Sequence, residues 1–167
     1  MSSVISNGEP AIRRGIKTVG VGKKGSKDMD LPLIQEILAD LKAGKVSEVA
    51  KGAFFAGLVM KGVSPEEMIL DQVFNPGTLN NPQKLARALT TDAPVFVQDS
   101  CIHILEKKEL NKETAARLGN FLFSQEPGDG ARGIVASALR VRYETADEYD
   151  GLLSSMQDTI ESPFRQA

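Results

Sequence analysis

The residues best suited to covalent chemistry are Cys101 and His103, the one cysteine and the one histidine of the chain. A cysteine nucleophile needs a base within hydrogen-bonding distance, and two helical residues this close in sequence point in different directions. We therefore predict a helical histidine at the edge of the core. One cysteine and one histidine also cannot form a zinc site without carboxylates, and neither H-E-x-x-H nor C-x-x-C occurs. The sequence predicts no catalytic residue, no metal ligand and no cofactor.

Residues 20–25, with the sequence GVGKKG, match the G-x-G-x-x-G pattern of dinucleotide-binding loops. Such a loop must follow a buried strand and begin a helix, so that its backbone N–H groups meet the pyrophosphate. Only Val19 and Val21 indicate a strand here, and no alternation of strands and helices follows. The Walker pattern fails too, because Gly25 is followed by Ser-Lys. We interpret the segment as a basic, glycine-rich loop.

Two sets of cations could bind anionic partners. The first set lies in or beside a basic, glycine-containing arm at residues 1–26 and comprises Lys17, Lys23, Lys24 and Lys27. These lysines could contact nucleic-acid phosphates, and a solvated arm is the alternative. The second set comprises Lys61, Arg132, Arg140 and Arg142. Arg132 and Arg140 share a helix face that could hold an acidic partner or a phosphate, although such faces are more often solvated and paired with nearby acids.

Composition narrows the class of protein. The 167 residues include 20 Lys+Arg and 22 Asp+Glu, which gives a net charge of −2. This balance argues against a protein that binds nucleic acid over its whole surface. A single cysteine favours a reducing compartment, so we predict a cytoplasmic location. The N-terminal residues lack the apolar stretch of a secretory signal. The longest apolar run, residues 53–60, is too short to cross a bilayer, and we predict no membrane partner.

The spacing of apolar residues along the chain predicts that helices position the candidate side chains. Asp30 is a predicted N-cap with Pro32 in the first turn, and Ser64 begins a predicted capping box with Glu67. The helix from Ser47 to Lys61 is so rich in small residues that we predict a central position for it. Helices are predicted over 12–19, 31–43, 47–61, 64–74, 82–90, 93–105, 111–124, 130–141 and 145–160.

The chain contains a predicted internal duplication. A shift of 81 positions aligns residues 27–69 with 108–150 without a gap. The identical pairs are Lys27/Lys108, Leu41/Leu122, Ala50/Ala131, Gly52/Gly133, Leu58/Leu139 and Glu67/Glu148. Chance similarity of two amphipathic stretches is the alternative, but the shared register of caps and small residues favours duplication. The predicted organisation is an arm (1–26), a first helical module (27–74), a linker with connecting helices (75–107) and a second module (108–163).

Residues 20–74 resemble a known family. The opening GVGKKGSKDMD and the stretch GAFFAGLVMKGVSPEE are similar to the helical domain of the anthranilate phosphoribosyltransferase family, closest to its DNA-binding relatives. The resemblance implies a helical domain that supports dimerisation and packs against a larger α/β domain. That α/β domain binds phosphoribosyl pyrophosphate through GTGGD-like and KHGN-like segments, which these residues lack. Residues 128–130 (Gly-Asp-Gly) are only weakly similar to the GTGGD-like loop, and we interpret them as a turn at the start of a helix. The resemblance therefore implies no catalytic residue in this chain.

The predicted fold is therefore all-α, a helical bundle of seven to nine short helices formed by two duplicated helical-hairpin modules. The predicted function is a non-catalytic interaction or accessory subunit derived from a phosphoribosyltransferase-like helical domain, with a protein partner or a second copy of itself. Two alternatives remain open. One is the helical half of a split phosphoribosyl or glycosyl transferase. The other is a nucleic-acid-binding regulator that uses the basic N-terminal arm.

Overall fold

The computed structural model describes residues 10–19 and 27–142, with side-chain contacts described as far as residue 137. These residues form seven α-helices, one 3-10 helix and no strand, which confirms the predicted all-α bundle. The elements are α1 (Ala11–Val19), α2 (Leu31–Lys42), α3 (Glu48–Lys61), the 3-10 helix (Glu67–Val73), α4 (Pro82–Leu89), α5 (Val95–Leu105), α6 (Lys112–Leu122) and α7 (Asp129–Arg142). The helix predicted over 145–160 lies outside the described residues.

Side-chain caps define where the helices begin. Asp30 Oδ1 accepts a hydrogen bond from the Leu33 amide at 2.9 Å, and Ser47 Oγ accepts one from the Ala50 amide at 3.2 Å. Each bond satisfies a backbone donor that the first turn of a helix leaves without a partner. Asn81 and Asn111 cap α4 and α6 in the same way. The predicted starts of α2 and α3 are confirmed.

The core is built around α3. Phe54, Phe55 and Leu58 are fully buried, and the Phe55 ring meets Phe54 and Phe74 edge-on at 5.1 and 4.9 Å between centroids. Helix α1 crosses this core at Gly15, where an added Cβ would lie 2.8 Å from the Phe54 ring. Any larger residue would push α1 outwards, so a glycine sets the distance between α1 and α3.

Helices α3 and α7 approach each other through glycines. A Cβ added to Gly52 would lie 2.0 Å from the Gly130 carbonyl oxygen, and one added to Gly133 would lie 2.0 Å from the Val49 carbonyl oxygen. Backbone therefore packs directly on backbone at both points, which only glycine permits. Gly52 and Ala53, two of the small residues that predicted a central α3, lie at this contact.

The two glycine contacts are reciprocal in sequence. Gly133 lies 81 positions after Gly52, and Gly130 lies 81 positions after Val49. The helices follow the same offset: α3 spans Glu48–Lys61 and α7 spans Asp129–Arg142. Helices α2 and α6, which begin at Leu31 and Lys112, have the same separation. The two helix pairs thus lie at one offset in the sequence, and the close contacts between α3 and α7 fall at corresponding positions.

The segment from Ser64 to Phe74 departs from prediction. Its capping box is present, since the Glu67 amide donates to Ser64 Oγ at 3.2 Å and the Ser64 amide donates to Glu67 Oε1 at 2.8 Å. The turns that follow are 3-10 rather than α-helical. In a 3-10 helix residues three apart lie in line, so Glu67, Leu70 and Val73 all face the core. Tertiary burial along that line overrides the α-helical propensity of the segment.

Candidate functional site

Lys61, one of the predicted interaction residues, belongs to a buried ion-pair junction. Its Nζ donates to Glu67 Oε1 at 2.7 Å, to Asp28 Oδ1 at 2.5 Å and to the Gly62 carbonyl oxygen at 2.6 Å. The Lys61 side chain is 7% exposed and that of Glu67 is 0% exposed. All three donors of the ammonium group therefore have acceptors within the chain. Lys61 positions secondary structure instead of presenting a charge to solvent.

Glu67 links three separate stretches of backbone. Its Oε2 accepts a hydrogen bond from the Met29 amide at 2.8 Å, while its Oε1 accepts bonds from Lys61 and from the Ser64 amide. A buried carboxylate is costly unless it is paired and hydrogen-bonded, and here both oxygens are satisfied. The junction fixes the entry to α2, the end of α3 and the start of the 3-10 helix against one another.

Arg132, a second predicted interaction residue, caps the end of α6. The side chain is 16% exposed, and its guanidinium lies 4.4 Å from the centre of the Phe121 ring. It also donates to Asp129 Oδ1 at 3.1 Å. Four carbonyl oxygens accept from it at 2.8–3.1 Å: those of Phe121, Leu122, Ser124 and Glu126. The planar fork of arginine suits such converging acceptors, so Arg132 holds the turn between α6 and α7.

Of the remaining predicted cations, the structure describes the side chains of Lys17 and Lys27. Lys17 is exposed on α1 and has interactions of its own. Lys27 is exposed, and its amide donates to the Thr18 carbonyl oxygen at 2.9 Å. The other four lie outside the described side chains, in the arm for Lys23 and Lys24 and at the end of α7 for Arg140 and Arg142.

Cys101 and His103 lie on opposite sides of α5, as predicted. Cys101 is buried, and this burial raises the pKa of its thiol from 9.0 to about 12. His103 is exposed, with Nδ1 at 3.0 Å from the Asp99 carbonyl oxygen. A thiol that stays protonated at neutral pH is a poor nucleophile. The pair therefore lacks the geometry of a nucleophile and its base, and the Cys101 thiol stays protonated.

A cleft of about 300 Å³ opens between α5 and α6, and we refer to it as the α5–α6 cleft. The Arg117 guanidinium lies over the Phe96 ring in this cleft, 4.4 Å from its centre. Val95, next to Phe96 at the start of α5, is 72% exposed. The other walls of the cleft are mainly polar and include Asp99, His103, Glu109 and Thr114.

A second, larger cleft of about 690 Å³ lies between the 3-10 helix and α4, and we refer to it as the α4 cleft. The charged residues of this cleft are Lys84 and Arg87, which are not among the predicted interaction residues. Their spacing could have indicated a basic surface, because two cations three positions apart on a helix share a face. That face lies directly after the Asn-, Pro- and Gly-rich stretch at residues 75–82, which forms the opposite wall of the cleft.

None of the described His, Cys, Asp and Glu residues form a group of three or more that could hold a metal ion. Among the described helices, none has the length and apolar character needed to span a membrane. No family model, curated protein or solved structure matches the chain.

Proposed function

We propose that this chain is a non-catalytic interaction or accessory subunit, derived by duplication from a phosphoribosyltransferase-like helical domain, and that it acts in an oligomer or a larger complex. The resemblance of residues 20–74 to that helical domain supports the ancestry. The equal offset between α2–α3 and α6–α7 supports duplication, because the helix starts, the caps at Asp30 and Asn111 and the close contacts of Gly52 and Gly133 recur at one spacing.

The exposed group at the start of α5 is the observation that carries the proposal. Val95 leaves 72% of its surface in water beside Phe96, whose ring is covered by Arg117. Aromatic residues and arginine are enriched at the centres of protein interfaces, and a large exposed apolar side chain next to them gains free energy when a partner covers it.

The contact between Arg117 and Phe96 also prepares this surface for binding. A guanidinium held 4.4 Å above an aromatic ring has fewer conformations to lose than a freely moving arginine. Arg117 also lines the cleft, where a partner's carboxylate or carbonyl could accept from its guanidinium. The α5–α6 cleft thus combines an apolar anchor with a pre-ordered polar group.

The test compares assemblies formed by the full chain and by two variants, Val95→Asp and Arg117→Glu. Tagged protein is purified from its native cells, its mass is measured by light scattering, and bound partners are identified by mass spectrometry. We expect the wild-type chain to elute above its monomer mass, and both variants to lose the additional mass. Val49→Asp is the matched control, because Val49 is another exposed valine in the first turn of a helix.

A wild-type chain that is monomeric and free of partners would contradict the proposal. If Val49→Asp loses assembly as well as Val95→Asp, the loss is not specific to the α5–α6 cleft. That result would contradict the cleft as the binding surface. A captured partner that carries a phosphoribosyl pyrophosphate loop would favour the split transferase over a non-catalytic subunit.

A further inference from the structure

The α4 cleft presents two cations that the fold leaves unused. Lys84 and Arg87 are both exposed, and among the described residues neither side chain has an ion-pair or hydrogen-bond partner. Lys61 and Arg132, by contrast, are fully engaged within the chain. The cleft's lining includes no acidic residue, so its charge is positive. Such a surface attracts an anionic group.

The walls of the α4 cleft are held in place by the protein itself. Asp71 accepts from the Gly77 amide at 2.9 Å through Oδ2 and from the Leu79 amide at 2.7 Å through Oδ1. Phe74, which forms part of the floor, is anchored by its edge-on contact with Phe55 at 4.9 Å. A binding cleft that is formed before the ligand arrives loses less conformational entropy on binding.

Several backbone donors around the α4 cleft are already occupied. Besides the two amides bound by Asp71, the Thr78 amide donates to the Asn75 carbonyl oxygen at 3.2 Å. The Lys84 amide donates to Asn81 Oδ1 at 3.0 Å. Phosphate sites in proteins commonly use free backbone N–H groups at loops and helix starts. The charged donors here are the side chains of Lys84 and Arg87, which suits carboxylates presented one at a time.

The apolar residues that line the α4 cleft are Val73, Phe74 and Ala88. We infer that the α4 cleft binds an acidic segment of a partner protein, with carboxylates on Lys84 and Arg87 and an apolar side chain against Phe74. An apolar centre with a charged rim is the usual anatomy of a protein interface. The inference rests on the proposed function, since it names the chemistry of one partner of the subunit, at a surface separate from the α5–α6 cleft.

The test is a titration of the full, ¹⁵N-labelled chain with a capped synthetic peptide of sequence Glu-Glu-Leu-Phe-Glu-Glu. We expect amide shifts that cluster in residues 73–88 and an affinity that falls as salt rises. The variant Lys84→Glu/Arg87→Glu should bind at least about tenfold more weakly, since two attractive contacts become repulsive. The matched control, Lys45→Glu/Lys112→Glu, makes the same change of net charge at exposed lysines outside the cleft and should bind like wild type.

Three outcomes would overturn the inference. They are shifts spread over the surface, equal weakening in the control variant, and tighter binding of inorganic phosphate than of the peptide at the same ionic strength. If the charge-reversed variant does not fold, Lys84→Gln/Arg87→Gln takes its place with the same expectation of weaker binding. Absence of peptide binding, with assembly still sensitive to Val95→Asp, would overturn this inference and leave the proposed function standing. Peptide binding to a wild-type chain that is monomeric in native cells would support the cleft while contradicting the proposed function.

Discussion

Gly52 on α3 faces the carbonyl oxygen of Gly130 on α7 so closely that a Cβ at Gly52 would lie 2.0 Å from that oxygen. The equivalent contact, between Gly133 and Val49, is equally close. Because real Cβ atoms do not approach a backbone oxygen to this distance, α3 and α7 would have to separate to admit even one methyl group. The contact between α3 and α7 therefore depends on glycine at two positions.

Gly52→Ala and Gly133→Ala should each destabilise the protein. Alanine gains about 1 kcal/mol in helix propensity, but overpacking against backbone costs about 1–3 kcal/mol or more. We expect the steric cost to win, because backbone cannot move aside as a flexible side chain can. Urea denaturation of the full chain measures the free energy of unfolding. Ala136→Leu, an exposed substitution on α7, is the control and should change little. Unchanged stability in either glycine variant would refute the close approach.

Lys61→Met should destabilise the protein by about 3–5 kcal/mol, since it leaves the buried Glu67 carboxylate without its cation. Adding Glu67→Gln to that variant should recover part of the loss, because the uncompensated charge disappears. Lys108→Met, at an exposed pair with Glu106, should cost less than about 1 kcal/mol. Urea denaturation at neutral pH compares all three. Equal effects of Lys61→Met and Lys108→Met would show that burial of the first pair is unimportant.

Arg132→Lys should loosen the turn after α6 although it keeps the charge. An ammonium group cannot reach the carbonyl oxygens that the guanidinium fork binds, so we expect a loss of about 1–3 kcal/mol. Amide exchange reports the site: the Ser124 and Glu126 amides, which donate within this turn, should exchange faster. Arg117→Lys, an exposed arginine on α6, should leave those amides unaffected. Unaltered exchange in Arg132→Lys would contradict the capping role.

Cys101 should make stability fall in alkaline solution. Burial raises the pKa of its thiol from 9.0 to about 12, so between these values the folded chain keeps a proton that the unfolded chain releases. The unfolded state is therefore increasingly favoured as pH rises through this window. The stability that the protonated thiol contributes to the folded state is fully present below pH 9. Unfolding free energy measured from pH 8 to pH 10.5 should decline less steeply for Cys101→Ala than for wild type. Parallel curves would exclude a buried thiol.

The elements that could be predicted from sequence are those whose signals are local. Asp30 and Ser47 are short polar residues ahead of apolar helical spacing, and both cap the helices that they were predicted to begin. The small residues of α3 predicted a central helix because close packing limits side-chain size. The 3-10 helix could not be predicted this way, since the alignment of Glu67 with Leu70 is favoured by a core assembled from distant segments.

Site residues were harder to predict, because the partners of a charge are set by tertiary structure. Lys61 reads as a cation that ends a helix, yet its partners include Asp28, more than thirty positions earlier. Arg132 binds carbonyl oxygens, which leave no trace in a sequence pattern. Lys84 and Arg87 differ from the other cations because no acidic residue lines the cleft around them. This absence becomes visible only in the fold.

The anchoring of Arg132 has a consequence for how the chain can vary. Residues 125–127 are exposed, and exposed turns usually accept insertions and deletions. Here the carbonyl oxygens of Phe121 before that stretch and of Glu126 within it, and Asp129 after it, all converge on one guanidinium. One residue more or fewer would carry those oxygens out of its reach. Arg132 thus sets the length of the turn as well as its shape, and homologues that retain this arginine should retain the same number of residues between α6 and α7.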